Sequence, residues 1–432
     1  MKRILSILAI SASALSLMAQ TNGSNSPYSR YGIGLLNDRA GANATGMAGT
    51  GIGLRSGNEL NPLNPASFSA IDSLSFLFDA GLSLQNTNLR ENGQSINAHN
   101  TSLDYITFGW RAAKNLGISG GLIPVSTIGY ETSRTTTFST SIGEQTQTST
   151  YYGDGGIHAV YLGAGWMPLK GLSIGANGGF MWGETTNAIT ATFSQSTINT
   201  RERSYNSHLH SYKLDFGLQY ELPVHKNHTL TLGLTYGLGH TIKGSARYYD
   251  QQSSGSGMVG DTLIARNAYD LPHTFGIGLV WNYRERLRVG IDYTLSKWGD
   301  CRVPNLESVN GTNIYVPTKG LLKDQHKIAV GTEFVNRPDG LRWHQRIRYR
   351  LGASIRTPYT SIDGQDGPTS YLVSFGAGIP ILNSYSTRCL VNVGAQYECV
   401  KPKVAGMLKE HYLRLCIGIS FNEMWFAKWK AE

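Results

Sequence analysis

Six separate stretches of this chain alternate apolar and polar residues one by one, and that period confines it to β structure. Positions 76, 78, 80, 82 and 84 are Phe, Phe, Ala, Leu and Leu, with Leu77, Asp79, Gly81 and Ser83 between them. Positions 172 to 182 give Leu, Ile, Ala, Gly, Phe and Trp on even numbers. The same rhythm holds over 230–238, 275–281, 287–295 and 347–355. Successive side chains of a strand point to opposite faces. One face here carries Leu, Ile, Phe, Tyr and Trp; the other carries Gly, Ser, Thr, Asn, Asp and Arg. A soluble sandwich buries its apolar face, whereas an outer-membrane barrel turns it to lipid and lines the lumen with the polar one.

Three features favour the barrel. Gly accounts for 51 of 432 residues, and a face of Gly plus charge is odd for a sheet facing water, where Lys, Glu and Thr are expected. The apolar stretches carry an aromatic residue near an end (Trp110, Trp166, Trp182, Trp281, Tyr293, Trp298), as an interfacial girdle requires. Connections alternate between short and long. The strands fall near 73–89, 101–113, 116–130, 150–168, 171–186, 203–222, 228–246, 269–283, 286–299, 321–335, 345–357, 368–380, 387–400 and 408–422, which is fourteen, an even number. Short turns such as Lys114-Asn115, Leu169-Lys170 and Arg284-Glu285 belong to the periplasmic side. Long polar loops at 131–149, 187–202, 247–268 and 300–320 belong outside, with the Ser/Thr-rich run from Thr132 to Thr150 expected to be a mobile surface loop. The sequence therefore predicts an all-β, 14-stranded antiparallel transmembrane β-barrel over 73–422.

The flanks fit an exported protein. Residues 1–19 read as a signal peptide: Lys2 and Arg3, an uncharged run from Ile4 to Leu17, then a cut after Ala19. The residue after the cut is Gln20 and no Cys is near it, so a lipoprotein signal is not expected. Residues 423–432, with Trp425 and Trp429, form a periplasmic tail, so both termini lie in the periplasm of a Gram-negative cell. The formal net charge of +9 falls to about +7 without Lys2 and Arg3, but the cations are scattered and form no nucleic-acid patch. Cys301, Cys389, Cys399 and Cys416 make no CxxC pair and read as small apolar residues.

Residues 20–72 have no alternation. They contain Gly46-Met47-Ala48-Gly49-Thr50-Gly51 and then Asn61-Pro62-Leu63-Asn64-Pro65-Ala66. Later stretches are Leu271-Pro272-His273-Thr274-Phe275-Gly276, Val289 to Tyr293 followed by Trp298, Leu322 to Gly331, and Tyr349 to Tyr359. In this order, over nearly the whole mature chain, the residues resemble the FadL/TodX family of outer-membrane transporters for long-chain fatty acids and other hydrophobic molecules. The resemblance implies that residues 20–72 form a plug (hatch) within the barrel, with Asn64, Pro65 and Ala66 as its motif. It implies passive transport of a fatty-acid-like molecule, entering from outside and leaving sideways into the bilayer through a kink in one strand. Pro124, preceded by Gly120 and Gly121, is the place in the third strand where such an opening is expected, because Pro removes a ladder hydrogen bond. Family members also resemble a cargo shuttle of type IX secretion, so the alternative is a non-transporting binding or accessory subunit of an outer-membrane secretion or assembly complex. A general porin is disfavoured by the plug.

Candidate ligand contacts follow. Arg288, Arg348 and Arg350 lie on the lumen face and could hold a carboxylate or phosphate head group; the alternative is that lumen charges such as these and Glu333 pair across the barrel and hold the plug. Ile33, Leu35, Leu36, Met47, Ile52 and Leu54 are apolar plug residues that either contact a ligand or pack the plug. The glycines of Thr45–Gly53 lack the flanking strand and helix of a nucleotide loop. His208 and His210 are two apart on a strand and could both face a metal, but most His pairs of this kind are not sites, and nothing has the setting of a catalytic nucleophile. No enzyme activity, metal, cofactor or nucleic-acid partner is expected; the expected surroundings are outer-membrane lipid and lipopolysaccharide.

Overall fold

The computed structural model describes residues 24–424 apart from 39–40, 92, 141–142, 196–197, 255–256, 363, 382–388 and 405–406. The signal peptide and the tail tryptophans lie outside the described residues. Fourteen antiparallel strands form one closed sheet: β1 (Ser75–Glu91), β2 (Gln94–Ala113), β3 (Leu116–Thr140), β4 (Gly143–Leu169), β5 (Leu172–Phe193), β6 (Arg201–His225), β7 (His228–Gly237 and His240–Ser254), β8 (Gly257–Arg266, Tyr269–Leu271 and Thr274–Tyr283), β9 (Leu287–Ser296), β10 (Gln325–Val335), β11 (Arg348–Arg356), β12 (Thr369–Ile381), β13 (Cys389–Lys401) and β14 (Lys409–Met424). The ring closes where β1 pairs with β14, from Ser75↔Met424 to Arg90↔Lys409, which leaves no free edge along that seam.

The period-two pattern becomes two faces. On β14, Leu413, Leu415, Ile417, Ile419 and Phe421 point outward and are each 40–51% exposed, while Tyr412, Cys416 and Ser420 are buried. A belt of exposed aliphatic residues on strand after strand is a surface for lipid, not for water.

Connections differ at the two ends. At one end β2–β3, β4–β5, β6–β7 and β8–β9 are joined by tight turns. At the other, the regions expected as long loops are largely ladder. β3 and β4 stay paired to Thr140↔Gly143, and β7 and β8 to Ser254↔Gly257. The Thr132–Thr150 run is therefore part of a hairpin, with Thr135 facing Thr148 at 3.2 Å between hydroxyls. The alternation is lost there because both faces are polar, yet Thr still favours the strand. The 300–320 region holds its own hairpin, Val303–Val309 with Thr312–Thr318, whose Tyr315 packs on Tyr205 and Tyr248. Trp298, expected in the girdle, is instead 3% exposed and packs at a tilt against Tyr359. Arg346 lies in a 3₁₀ turn before β11.

The ladder between β2 and β3 is incomplete. β2 and β3 pair only between Ile106↔Leu122 and Ala113↔Leu116. Beyond Leu122, β3 keeps its pairing to β4 but shifts register between Pro124 and Ser126. Its other side is taken by the N-terminal segment, with Leu35↔Thr127 and Leu36↔Ser126. Pro124 has no N–H to donate, so pairing fails where the sequence lacks the donor.

The interior of the barrel as candidate functional site

The segment from Ser24 to Asp72 packs on the inward face of the strands, and short polar contacts explain how. Asn64 is fully buried and precedes the 3₁₀ turn Pro65–Ala70; its Oδ1 accepts from the Ala66 backbone N–H at 3.1 Å. Pro65 occupies the first helical position, where no donor is needed. The Asn64 side-chain amide donates to the Ile52 carbonyl at 2.8 Å and reaches the carbonyls of Leu218 and Leu234 on the wall. This Asn-Pro-Ala motif is thus a helix cap that also anchors the segment to β6 and β7.

Wall residues grip the backbone around it. Asp292 accepts from the N–H groups of Gly51 (2.6 Å) and Ile52 (2.9 Å). Gln219 donates to the carbonyls of Ile52 and Leu54. Gln396 donates to Thr45 and Ser374 to Gly46. The glycines of the polar face admit this backbone. A Cβ at Gly175 would lie 2.4 Å from the Pro65 carbonyl carbon, and one at Gly352 would lie 2.3 Å from that of Met47. Any side chain at those positions would push the segment away.

The three arginines lie close together but are not free. Arg350 is 1% exposed. Its guanidinium donates to Glu333 (2.8 Å), Glu59 (2.6 Å) and Asn392 (2.8 Å). Arg348 donates to Glu59 at 2.7 Å, and Arg288 to Glu333 at 3.2 Å. Of the two readings of these groups, the pairs in place are those of lumen charges holding the plug: two buried carboxylates already occupy the arginines, because an unpaired buried charge is far too costly to leave. Glu59, from the segment, turns the cluster into a clasp. It is one of three acidic residues in 20–72, and nothing in its local sequence marks it.

The apolar candidates also pack rather than line an open pocket. Ile33 joins a buried cluster with Trp298, Tyr269 and Tyr359. Met47 packs with Leu54 and Val280, and Ile52 is buried beside Gly276 and Gly278. Leu35 and Leu36 alone border the main internal cavity. That cavity has a volume of 150 Å³ and is walled by Asp38, Lys327, Arg356, Glu398, Arg414 and Tyr412, among others. Most of its charges are paired in turn, Asp38 with Lys327 and Arg356, each at 3.1 Å, and Glu398 with Arg414, while Glu410 accepts from the hydroxyls of Ser26 and Tyr412. Pockets for drug-sized ligands run to roughly 300–1,000 Å³ and are mostly apolar. Gly120 and Gly121 remain in the ladder opposite Phe108 and Thr107, and the irregularity falls at Pro124 to Ser126. His208 meets Glu184 at 3.0 Å, and no metal-binding cluster occurs among the described residues.

A closed 14-stranded antiparallel barrel with a lipid-type outer belt has the fold of FadL-like barrels. The Ralstonia pickettii toluene transporter TbuX is similar at 13% identity over 88% of this chain and 97% of its own, with a TM-score of 0.60. The Pseudomonas putida toluene transporter TodX is similar at 15% identity over 91% and 100%, with a TM-score of 0.58. A Pseudomonas aeruginosa FadL homologue gives 13%, 88%, 98% and 0.59. At these identities the likeness is one of fold. The chain itself belongs to the BamG family, whose model matches residues 1–432. No curated protein matches it in sequence.

Proposed function

We propose that this chain is a plugged, non-transporting FadL-like barrel that serves an outer-membrane complex as a binding or accessory subunit. One observation carries the reading: two of the arginines placed to receive a head group, Arg348 and Arg350, hold the N-terminal segment through Glu59, and the internal cavity beside Leu35 and Leu36 is 150 Å³ and charged. A fatty-acid-like molecule has no apolar chamber there. The BamG name points the same way, towards an assembly complex. In this reading residues 24–72 are the plug, the tight-turn end and both termini face the periplasm, and the long hairpins face outward. Gentle extraction from the native outer membrane followed by native mass spectrometry tests it. Co-purifying protein subunits on an empty barrel are expected; a stoichiometric hydrophobic adduct on a solitary barrel would overturn it.

A second reading, passive transport of a hydrophobic or amphipathic molecule with lateral release, is favoured by the parting of β2 and β3 beyond Leu122. Leu35 and Leu36 occupy that gap on the β3 side. Under this reading, displacing them would join the interior to the bilayer. Uptake of a labelled fatty acid into proteoliposomes separates the two readings.

A further inference from the structure

We propose that a basic groove on the outer wall, over β13, β14 and β1 at the long-hairpin end, holds the phosphorylated head group of an outer-leaflet glycolipid of the lipid A type. The inference uses the orientation given above and is independent of whether the barrel transports. Register builds the groove. Arg90 of β1 lies directly opposite Lys409 of β14. His411 lies opposite Cys399 of β13, so Lys401, two residues further along β13, comes level with Lys409. Outward side chains on these strands therefore bring Arg90, Lys401, Lys409 and His411 together. They border an open groove of 660 Å³ with Gln94 and Ser95, and Glu91 is its one carboxylate among the described lining residues.

Like charges placed directly across a ladder destabilise it. At this end of the barrel other cations have been matched: Lys297 with Asp324, Lys323 and Lys403 with Asp366, Arg302 with Asp270. Arg90, Lys401 and Lys409 form no ion pair among the described residues. The repulsion is removed if an external anion completes the site.

Position selects the anion. Further down the same outward rows, past Asn88 and Asn86 on β1 and Cys399 on β13, come Leu84, Leu413 and Tyr397, each 49% exposed to within a percentage point, and then Val393 and Leu415. The cations thus cap the lipid belt at the level of the head groups. The Tyr397 hydroxyl contacts Nδ1 of His411 at 2.8 Å. With tyrosine as donor, the neutral ring carries its proton on Nε2, a further donor for a phosphate oxygen. Guanidinium and two ammonium groups suit two phosphates on one sugar head group, whose acyl chains would lie along Leu413, Leu415 and Val393.

The test reconstitutes the full barrel in nanodiscs containing diphosphorylated lipid A, and native mass spectrometry after detergent release counts retained glycolipid. The variant R90Q/K401Q/K409Q is expected to retain it roughly tenfold less or worse. The variant K114Q/K170Q/K226Q, which removes the same charge at the opposite end, is expected to match the wild type. In detergent without lipid A the first variant should unfold at the same or a higher temperature, because the cross-strand repulsion has gone. Equal retention by R90Q/K401Q/K409Q would overturn the proposal, as would equal retention of dephosphorylated lipid A. Displacement by an equal amount of phosphatidylglycerol would reduce the groove to a general anion patch and equally overturn it. An epitope inserted at the tip of the β7–β8 hairpin and detected on intact cells checks the orientation separately.

Discussion

Arg350 is buried in the interior, with each nitrogen of its guanidinium donating to one of Glu333, Glu59 and Asn392. Replacing it with Met would keep the bulk and leave two buried carboxylates short of a partner. Breaking a buried pair by removing one member costs about 3–5 kcal/mol. Arg350→Met is therefore expected to lower the thermal unfolding midpoint of the detergent-solubilised barrel markedly, whereas Arg288→Met, whose carboxylate partner Glu333 keeps Arg350, should lower it less. Similar midpoints for the two would remove Arg350 from its central role. The sequence made the three arginines visible as odd charges on a lumen face. Their partner Glu59 was not visible, because it lies 291 residues from Arg350 in a segment without periodicity. Cys301 illustrates the same limit. It reads as a small apolar residue, and in the hairpin region between β9 and β10 it is 4% exposed. Burial, then the nearby Asp270 and Asp300, pushes its thiol up to about 12. A maleimide at pH 7.5 (roughly 1 unit below the free-thiol value) should leave Cys301 unmodified in the folded protein and label it after denaturation. Rapid labelling of the native barrel at Cys301 would contradict the packing described.

At the scale of elements, every strand expected from alternation is present, and the failures fall where both faces of a strand meet water. There the apolar period has no cause, so hairpin extensions such as Thr132–Thr150 look like loops. Thr content was the remaining signal, and pairing across the hairpin decides it. The connections at this end also hold one another. Asp366, between β11 and β12, accepts from Lys323, before β10, and from Lys403, between β13 and β14. The hydrogen bond from Lys323, followed by that from Lys403, holds the Asp366 carboxyl down to about 2. A carboxylate with a folded value below its unfolded one stabilises the fold above the unfolded value and loses that contribution as pH falls through the folded one. The window thus runs from roughly pH 4 to pH 2. Hydrogen exchange of 357–370 should be slow at pH 5 and accelerate relative to 303–318, beyond the intrinsic pH effect, as pH falls towards 2. Asp366→Asn should exchange quickly throughout. Equal protection of Asp366→Asn and the wild type at pH 5 would show that the three connections are held by something else.

For the whole molecule the question is whether the N-terminal segment shapes the barrel or only fills it. Each strand of the wall pairs with the next from β1 round to β14, and among the described residues it is β3 beyond Leu122 that pairs with the segment. The contacts that fix the segment run from wall side chains to its backbone and to Glu59, and the wall glycines make room for it. That is the construction of a separate piece seated in a finished ring. The resemblance in the sequence placed the plug before the first strand, but the reason for the Gly-rich lumen face was legible only once Pro65 and Met47 were found against Gly175 and Gly352. Deleting residues 20–66, with the export signal kept, should therefore leave a barrel that still inserts and shows heat-dependent migration. Its lumen charges, including Arg288, Glu333, Arg348 and Arg350, would then be hydrated instead of desolvated, so losing Glu59 would no longer strand a buried charge. Planar-bilayer recordings should find a stable open pore in the deleted form and closed or rare events in the full chain. A deleted form that inserts yet stays closed would mean that the hairpins at the long end seal the lumen on their own, and the plug assignment would fall.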